Sequence, residues 1–211
     1  MKKFELTNEF ITNMFGTKLF RIRALVEFGD VEAGELGGYV EKESNLGHDD
    51  NAWVYGDARV YDNARVYDNA RVYGDAQVSG DARVYDNARV YGDAWVYGDA
   101  RVYGDAWVYG DARVYGDAWV YGNARVCGDA LVCGDARVCG NGDYAYAHGF
   151  GSVNRTTTFF RLKDGGVGVR CGCFYGTLAQ FRDKIRETHG ETKKAQEYLM
   201  LADLMKLRFE K

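Results

Sequence analysis

The chain has 211 residues, 27 of them Gly and none Pro, and its 27 Lys and Arg against 31 Asp and Glu leave a net charge of −4. That balance argues against a general nucleic-acid binder, and no apolar run is long enough for a membrane-spanning helix or reads as a secretory leader. Five cysteines with no paired framework fit a reducing cytoplasm.

Residues 1–50 read as a cap. Phe20, Ile22, Ala24 and Val26 alternate with Arg21, Arg23 and Leu25, the period of a half-buried strand. The Gly pair in Glu35-Leu-Gly-Gly-Tyr-Val40 suits a tight turn. Val40 and Leu46 are six residues apart and Leu46 and Val54 eight, so a coil is expected to begin irregularly there, with two extra residues at one corner.

Residues 51–142 repeat one unit of six, (Arg/Trp)-Val-Tyr-(Gly/Asp)-(Asp/Asn)-Ala. Valine recurs at every sixth position from Val54 to Val138, fifteen times, and alanine keeps the same step from Ala52 to Ala136. In Ala58-Arg59-Val60-Tyr61 the side chains alternate, so Ala and Val share one face and Arg and Tyr the other. The Gly, Asp and Asn that follow suit a corner, because they tolerate positive φ or bond their own backbone. A helix is a poor rival, since a period of six keeps no stripe on a helix turning every 3.6 residues. Strand, corner and strand repeated without a slip make a β-solenoid, whose N–H and C=O groups are satisfied between successive coils.

The wording Val-Tyr-Gly-Asp-Ala-Arg resembles the hexapeptide repeat of left-handed parallel β-helices, in which three hexads close one triangular coil. By that resemblance the fold is mostly β: a left-handed parallel β-helix with an N-terminal cap and a small C-terminal ββαα module. Fifteen hexads would make five coils, roughly 24 Å long at the strand spacing. The near-perfect repeats, with Glu35-Leu-Gly-Gly-Tyr39 before them, are similar to a subset of hexapeptide-repeat proteins common in phages, prophages and gut Firmicutes.

Residues eighteen apart should then stack. One face carries Arg65, Arg83, Arg101, Trp119 and Arg137 beside Tyr67, Tyr85, Tyr103 and Tyr121. A second carries Trp53, Arg71, Arg89, Trp107 and Arg125 beside Tyr55, Tyr73, Tyr91 and Tyr109. The third is mixed: Arg59, Gln77, Trp95, Arg113 and Leu131 beside Tyr61, Ser79, Tyr97 and Tyr115. Such neighbours stabilise a sheet surface, and the same residue types dominate binding hot spots. Arg65, Tyr67, Arg83, Tyr85, Arg101, Tyr103, Trp119 and Tyr121, with Arg89 and Trp107 on the second face, are the candidate partner-binding residues. The Asp ladders at the corners lack the Gly-Gly-x-Gly-x-Asp calcium repeat, and no metal or cofactor is expected. Cys127, Cys133 and Cys139 replace Tyr in three consecutive hexads and should point from three different faces, too far apart to bridge. Their presence suggests that something packs over the last coil.

Residues 143–211 form the C-terminal module. Tyr144 and Phe150 still fall on the sixfold grid, so one distorted coil is expected first. Thr156–Leu162 and Gly166–Phe174 read as two strands joined at Lys163-Asp-Gly-Gly. Cys171 and Cys173 would share one strand face as small core residues; a zinc site would need two more ligands, with only His148 and His189 on offer. Thr177-Leu-Ala-Gln180 is a capping box opening a helix with Leu178, Phe181 and Ile185 on one stripe, ended by Gly190. A second helix from Lys193 to Phe209 has one face of Ala195, Tyr198, Leu199, Ala202, Met205 and Phe209. A second apolar set, Met200, Leu201, Leu204 and Leu207, points to oligomerisation or a partner.

The expected function is a non-enzymatic protein-interaction scaffold in the cytoplasm of a bacterial host, assembled through its C-terminal module and binding or inhibiting a host protein, with counter-defence as one form. The alternatives are a hexapeptide-repeat acyltransferase using acyl-CoA and a self-assembling structural protein. Acyl transfer needs a general base, and of His48, His148 and His189 only His148, in Tyr-Ala-Tyr-Ala-His-Gly, is a catalytic candidate.

Overall fold

The computed structural model describes residues 2–150 and 154–210. Three strands precede the repeat: β1 (Phe4–Thr12), β2 (Lys18–Ala24) and β3 (Leu36–Val40). β1 was not expected from the sequence; it pairs antiparallel with β2, and β2 pairs antiparallel with β3. The first coil then starts where expected. Val40 pairs parallel with Val60 and Leu46 with Val66, twenty residues on, whereas Val54 pairs with Val72, eighteen on. The two extra residues therefore lie between Leu46 and Val54.

Each hexad contributes one two-residue strand, β4 to β18, from Trp53–Val54 to Arg137–Val138. The coil closes every third hexad, because Arg101 and Val102 pair parallel with Arg83 and Val84 below and Trp119 and Val120 above. One sheet runs through six coils, from β3 to Leu131–Val132, and β1 and β2 extend it at the N-terminal end. The ladder is regular: Trp95 N–H donates to Ala112 O at 2.9 Å and Tyr97 N–H to Val114 O at 3.0 Å. Every Val and Ala of the repeat is fully buried in one axial column. Burying a valine stabilises by about 1.5–3 kcal/mol relative to leaving it exposed, so the column is the core.

The corners turn through the left-handed region, as Gly98 does at φ 70° and Asp86 at φ 56°. Where Asp replaces Gly there, its carboxylate bonds the next coil: Asp62 accepts from Gly80 N–H and Asp86 from Gly104 N–H, both at 3.1 Å. Side-chain amides add a second ladder, Asn51 to Asn69 at 3.0 Å and Asn87 to Asp105 at 3.2 Å.

Both ends of the column are sealed, as unpaired strand edges require. At the N-terminal end Lys3 is buried, and its ammonium donates to Asp50 O (3.0 Å), Asp50 Oδ1 (2.9 Å) and Ala52 O (2.9 Å). Burial pulls the Lys3 pKa down, with Asp50 opposing. Asn45 is fully buried and donates to Ala64 O at 2.8 Å.

At the C-terminal end no distorted coil follows. Tyr144 opens β19 (Tyr144–Phe150), which pairs antiparallel with β20 (Arg155–Arg161). β21 (Val167–Cys171) and β22 (Phe174–Thr177) complete a four-stranded antiparallel sheet, so the module has four strands where two were expected. Residues on the grid stop coiling here because the inward Val and Ala give way to Tyr144 and Phe160, which are too bulky for the column and plug it. The last coil's donors find partners in the module: Leu131 N–H donates to Thr158 Oγ1 (2.9 Å) and Cys139 N–H to Asp143 Oδ2 (3.0 Å). β20 is two-faced, with Phe160 against the column and Phe159 against the helices. The helices are α1 (Leu178–His189), with the Thr177–Gln180 capping box and Gly190 at its end, and α2 (Lys193–Phe209).

Candidate interaction surface

The repeat positions its outward side chains by period alone, so each face is a set of columns with one member per coil. On the first face Arg65, Arg83, Arg101, Trp119 and Arg137 stack in register. Beside them Tyr67, Tyr85, Tyr103 and Tyr121 stack ring on ring, at 5.0, 4.9 and 5.2 Å. Arg101 and Arg137 sandwich Trp119, at 4.8 and 4.2 Å from its ring centre. Burial pushes the Tyr67, Tyr85 and Tyr103 phenols above their ordinary pKa.

The second face holds Arg71, Arg89, Trp107 and Arg125 in the same way, with Trp107 between Arg89 (5.0 Å) and Arg125 (4.6 Å). Arg89 and Trp107 therefore lie on a different side from the other eight candidates, as the spacing predicts. Trp53, expected to point outward on this face, is fully buried. The cap wraps it, with Phe4 and Phe28 packed edge-on at 6.1 and 5.3 Å. Asp30 of the cap also reaches this face, accepting from Arg71 (2.8 Å) and Tyr55 (3.1 Å). The third face is occupied at both ends. β1 and β2 extend its sheet at one end, and at the other Arg170 lies over the Tyr115 ring at 6.0 Å and Cys133 is buried. Among the described residues no side chain of either cap bonds or stacks on Arg65, Arg83 or Arg101. The first face is thus the open one, with Arg65 and Arg83 exposed and Arg101 half-buried.

His148 is exposed, and its Nδ1 lies 2.9 Å from Thr156 Oγ1 and 3.6 Å from Asp129 Oδ2. It lines an open groove of about 590 Å³ with Arg113, Asp129, Leu131 and Arg155. Hydroxyl and carboxylate approach the same ring nitrogen, so this is no relay in which the acid orients a base that activates the hydroxyl; Nε2 is the nitrogen left to act. Sequence reasoning missed Asp129, Thr156 and the two arginines, because they come from the last coils and β20 and meet only when the module seats. His48 is structural, stacked on Phe4 at 4.4 Å.

Cys171 and Cys173 do not share a strand face. β21 ends at Cys171, Gly172 turns at φ 57°, and Cys173 is exposed. Cys171 accepts from Thr157 Oγ1 at 3.2 Å. Among the described residues no group of three or more His, Cys, Asp or Glu is arranged to hold a metal. All five cysteines are free thiols, and the burial of Cys133 agrees with packing over the last coil. On α2, Ala195, Tyr198, Ala202, Met205 and Phe209 are buried, whereas Met200, Leu204 and Leu207 are 71, 55 and 69% exposed and Leu201 half-buried. None of the described helices is long and apolar enough to cross a membrane.

Residues 64–80, 76–92, 82–98, 94–110 and 106–122 match a family model described as the YdcK beta solenoid repeat. The matched span lies wholly within the regular coils and includes most of the first face. Comparison with curated proteins gave no match.

Proposed function

For a β-solenoid repeat protein of this build, we propose a non-enzymatic scaffold whose first face carries a protein partner. The observation that carries the reading is the column of Arg65, Arg83 and Arg101 beside stacked tyrosines, rigid and uncovered by either cap. Arg, Tyr and Trp on a pre-organised surface lose little freedom on binding, the condition under which contact area becomes affinity. The resemblance to hexapeptide-repeat proteins of phages and prophages makes a bacterial host protein the partner, met in the host cytoplasm, with inhibition as the outcome and counter-defence as one form of it. Copies assemble through Met200, Leu201, Leu204 and Leu207, since a helix rarely leaves three large apolar side chains so open without a second surface to cover them.

Arg83→Glu with Arg101→Glu tests the platform. Capture of a stoichiometric partner from host lysate should be lost by that variant and kept by Arg125→Glu on the second face; equal capture by both sinks the platform. Leu204→Glu with Leu207→Lys tests assembly. Stability should change by no more than about 0.5 kcal/mol, as for other surface changes, and sedimentation should show a smaller species. An unchanged sedimentation coefficient would count against α2.

A hexapeptide-repeat acyltransferase is the second reading, favoured by His148 in its groove with Arg113 and Arg155, two cations able to meet the phosphates of an acyl-CoA. His148→Ala should abolish acetyl transfer to any acceptor if that reading holds and leave partner capture intact if the scaffold does.

A further inference from the structure

Given the first-face platform, we infer that the partner presents an amphipathic helix with a narrow acidic stripe, laid along the solenoid axis. This rests on that platform reading and narrows it to one recognition element.

The first observation is charge without a counter-charge. The repeat holds nine Arg and thirteen Asp. Among the described residues, the ion pair of a repeat arginine is Arg71 with Asp30, and Asp30 belongs to the cap. Elsewhere Trp interrupts the guanidinium columns: Trp119 between Arg101 and Arg137, Trp107 between Arg89 and Arg125, and Trp95 beside Arg113. Only Arg65, Arg83 and Arg101 follow one another in three successive coils with no aromatic ring between. Like charges directly opposite in a sheet are destabilising, and although Arg65 lies over the Tyr67 ring at 5.8 Å and Arg101 against Trp119, among the described residues no carboxylate forms an ion pair with any of the three.

The second observation is spacing. The tyrosine rings beside these arginines put successive rungs 5.0 and 4.9 Å apart, and at the strand spacing the two rungs from Arg65 to Arg101 span about 10 Å. Helix neighbours at i, i+3 or i+4 are about 5–6 Å apart, and i to i+7 rises about 10.5 Å. Same-face residues of a strand are roughly 6.6 Å apart, about 13 Å over two steps, and drift out of register. A helix with Glu or Asp at i, i+4 and i+7 meets all three guanidiniums.

The third observation is width. Asp81 and Asp99 stand at the corner on one edge of the column, and Asp68, Asp86 and Asp105 at the corner on the other. The positive stripe is one residue wide between two negative rails. A duplex nucleic acid, about 20 Å wide and uniformly anionic, would set phosphates against the rails. A second copy of this face would set Arg on Arg. A helix whose acidic stripe is flanked by Lys or Arg complements stripe and rails together, and its apolar side chains can rest on the tyrosine column.

The test uses the whole protein and two stapled helical peptides of identical composition, binding read by fluorescence anisotropy. One has Glu at i, i+4, i+7 and i+11 flanked by Lys; the other has the same residues permuted so that no stripe forms. The striped peptide should bind at least tenfold tighter, and the preference should fall below twofold in Arg83→Glu and in the milder Arg83→Gln, each checked for its fold by circular dichroism. Arg125→Glu, exposed in the second-face column, should leave it unchanged. Equal binding of the two peptides, a preference that survives Arg83→Glu, or tighter binding of a duplex oligonucleotide overturns the inference. If lysate capture still depends on Arg83 and Arg101 while the peptides bind alike, the platform stands and the helix falls.

Discussion

Gly98→Ala isolates what a corner of this solenoid demands. Gly98 has φ 70°, and a Cβ added there would lie 3.0 Å from Gly116 N and 3.4 Å from its Cα in the next coil. A left-handed alanine costs about 1–2 kcal/mol, and the close backbone contact adds to it. A loss of about 2 kcal/mol lowers the melting temperature by roughly 4–8 °C in a chain of this size. Gly56→Ala carries the left-handed cost alone, since nothing lies nearer than 3.8 Å to its added Cβ. Gly98→Asp with Asp99→Asn reproduces the corner seen at Asp62-Asn63 and Asp86-Asn87 with no change in net charge. There the carboxylate accepts the next coil's N–H at 3.1 Å. A charge-assisted bond of about 1.5–3 kcal/mol offsets most of the strain, so this double variant should melt within about 2 °C of wild type. Far-UV circular dichroism on heating reads all three. The reasoning is refuted if the aspartate pair loses as much as alanine, or if Gly98→Ala costs nothing.

Two further outcomes are expected. Burial raises the Tyr55 phenol to about 12, and Tyr198 likewise to about 12, while Tyr115 and Tyr144 are pushed higher still. Because the folded values lie above the unfolded value near 10, the stability these groups contribute is complete below about pH 10. It is lost as pH rises through about 12. Tyrosinate absorbance and unfolding should therefore rise together in that window, and full ionisation near pH 10 with the fold intact would contradict it. Among the thiols, burial pushes Cys133 up, whereas Cys139 and Cys173 are exposed. A disulfide reagent should modify the exposed pair first and Cys133 last, and fast labelling of Cys133 would mean that the module does not cover it.

The repeat made its own structure legible. Alternation within each hexad put Val and Ala inside, and strict recurrence put residues eighteen apart in register, so the three faces and their columns could be written from the sequence. The extra two residues between Leu46 and Val54, the Thr177–Gln180 box and the bounds of α2 were equally local. Each depends on neighbours along the chain or on one repeated closure. The caps obey no such rule. β1 has no period to betray its partner, and Trp53 follows the repeat yet is buried because Phe4 and Phe28 fold over it. Tyr144 keeps the sixfold grid and still leaves the coil, since its ring and Phe160 plug the column instead of lining it. His148 meets Asp129 and Thr156 only across the seam between the last coils and the module. Sequence alone determined the prism and what each face displays. Which face stays open was decided by tertiary structure, because covering a surface depends on contacts between segments far apart in the chain, and no local period encodes them.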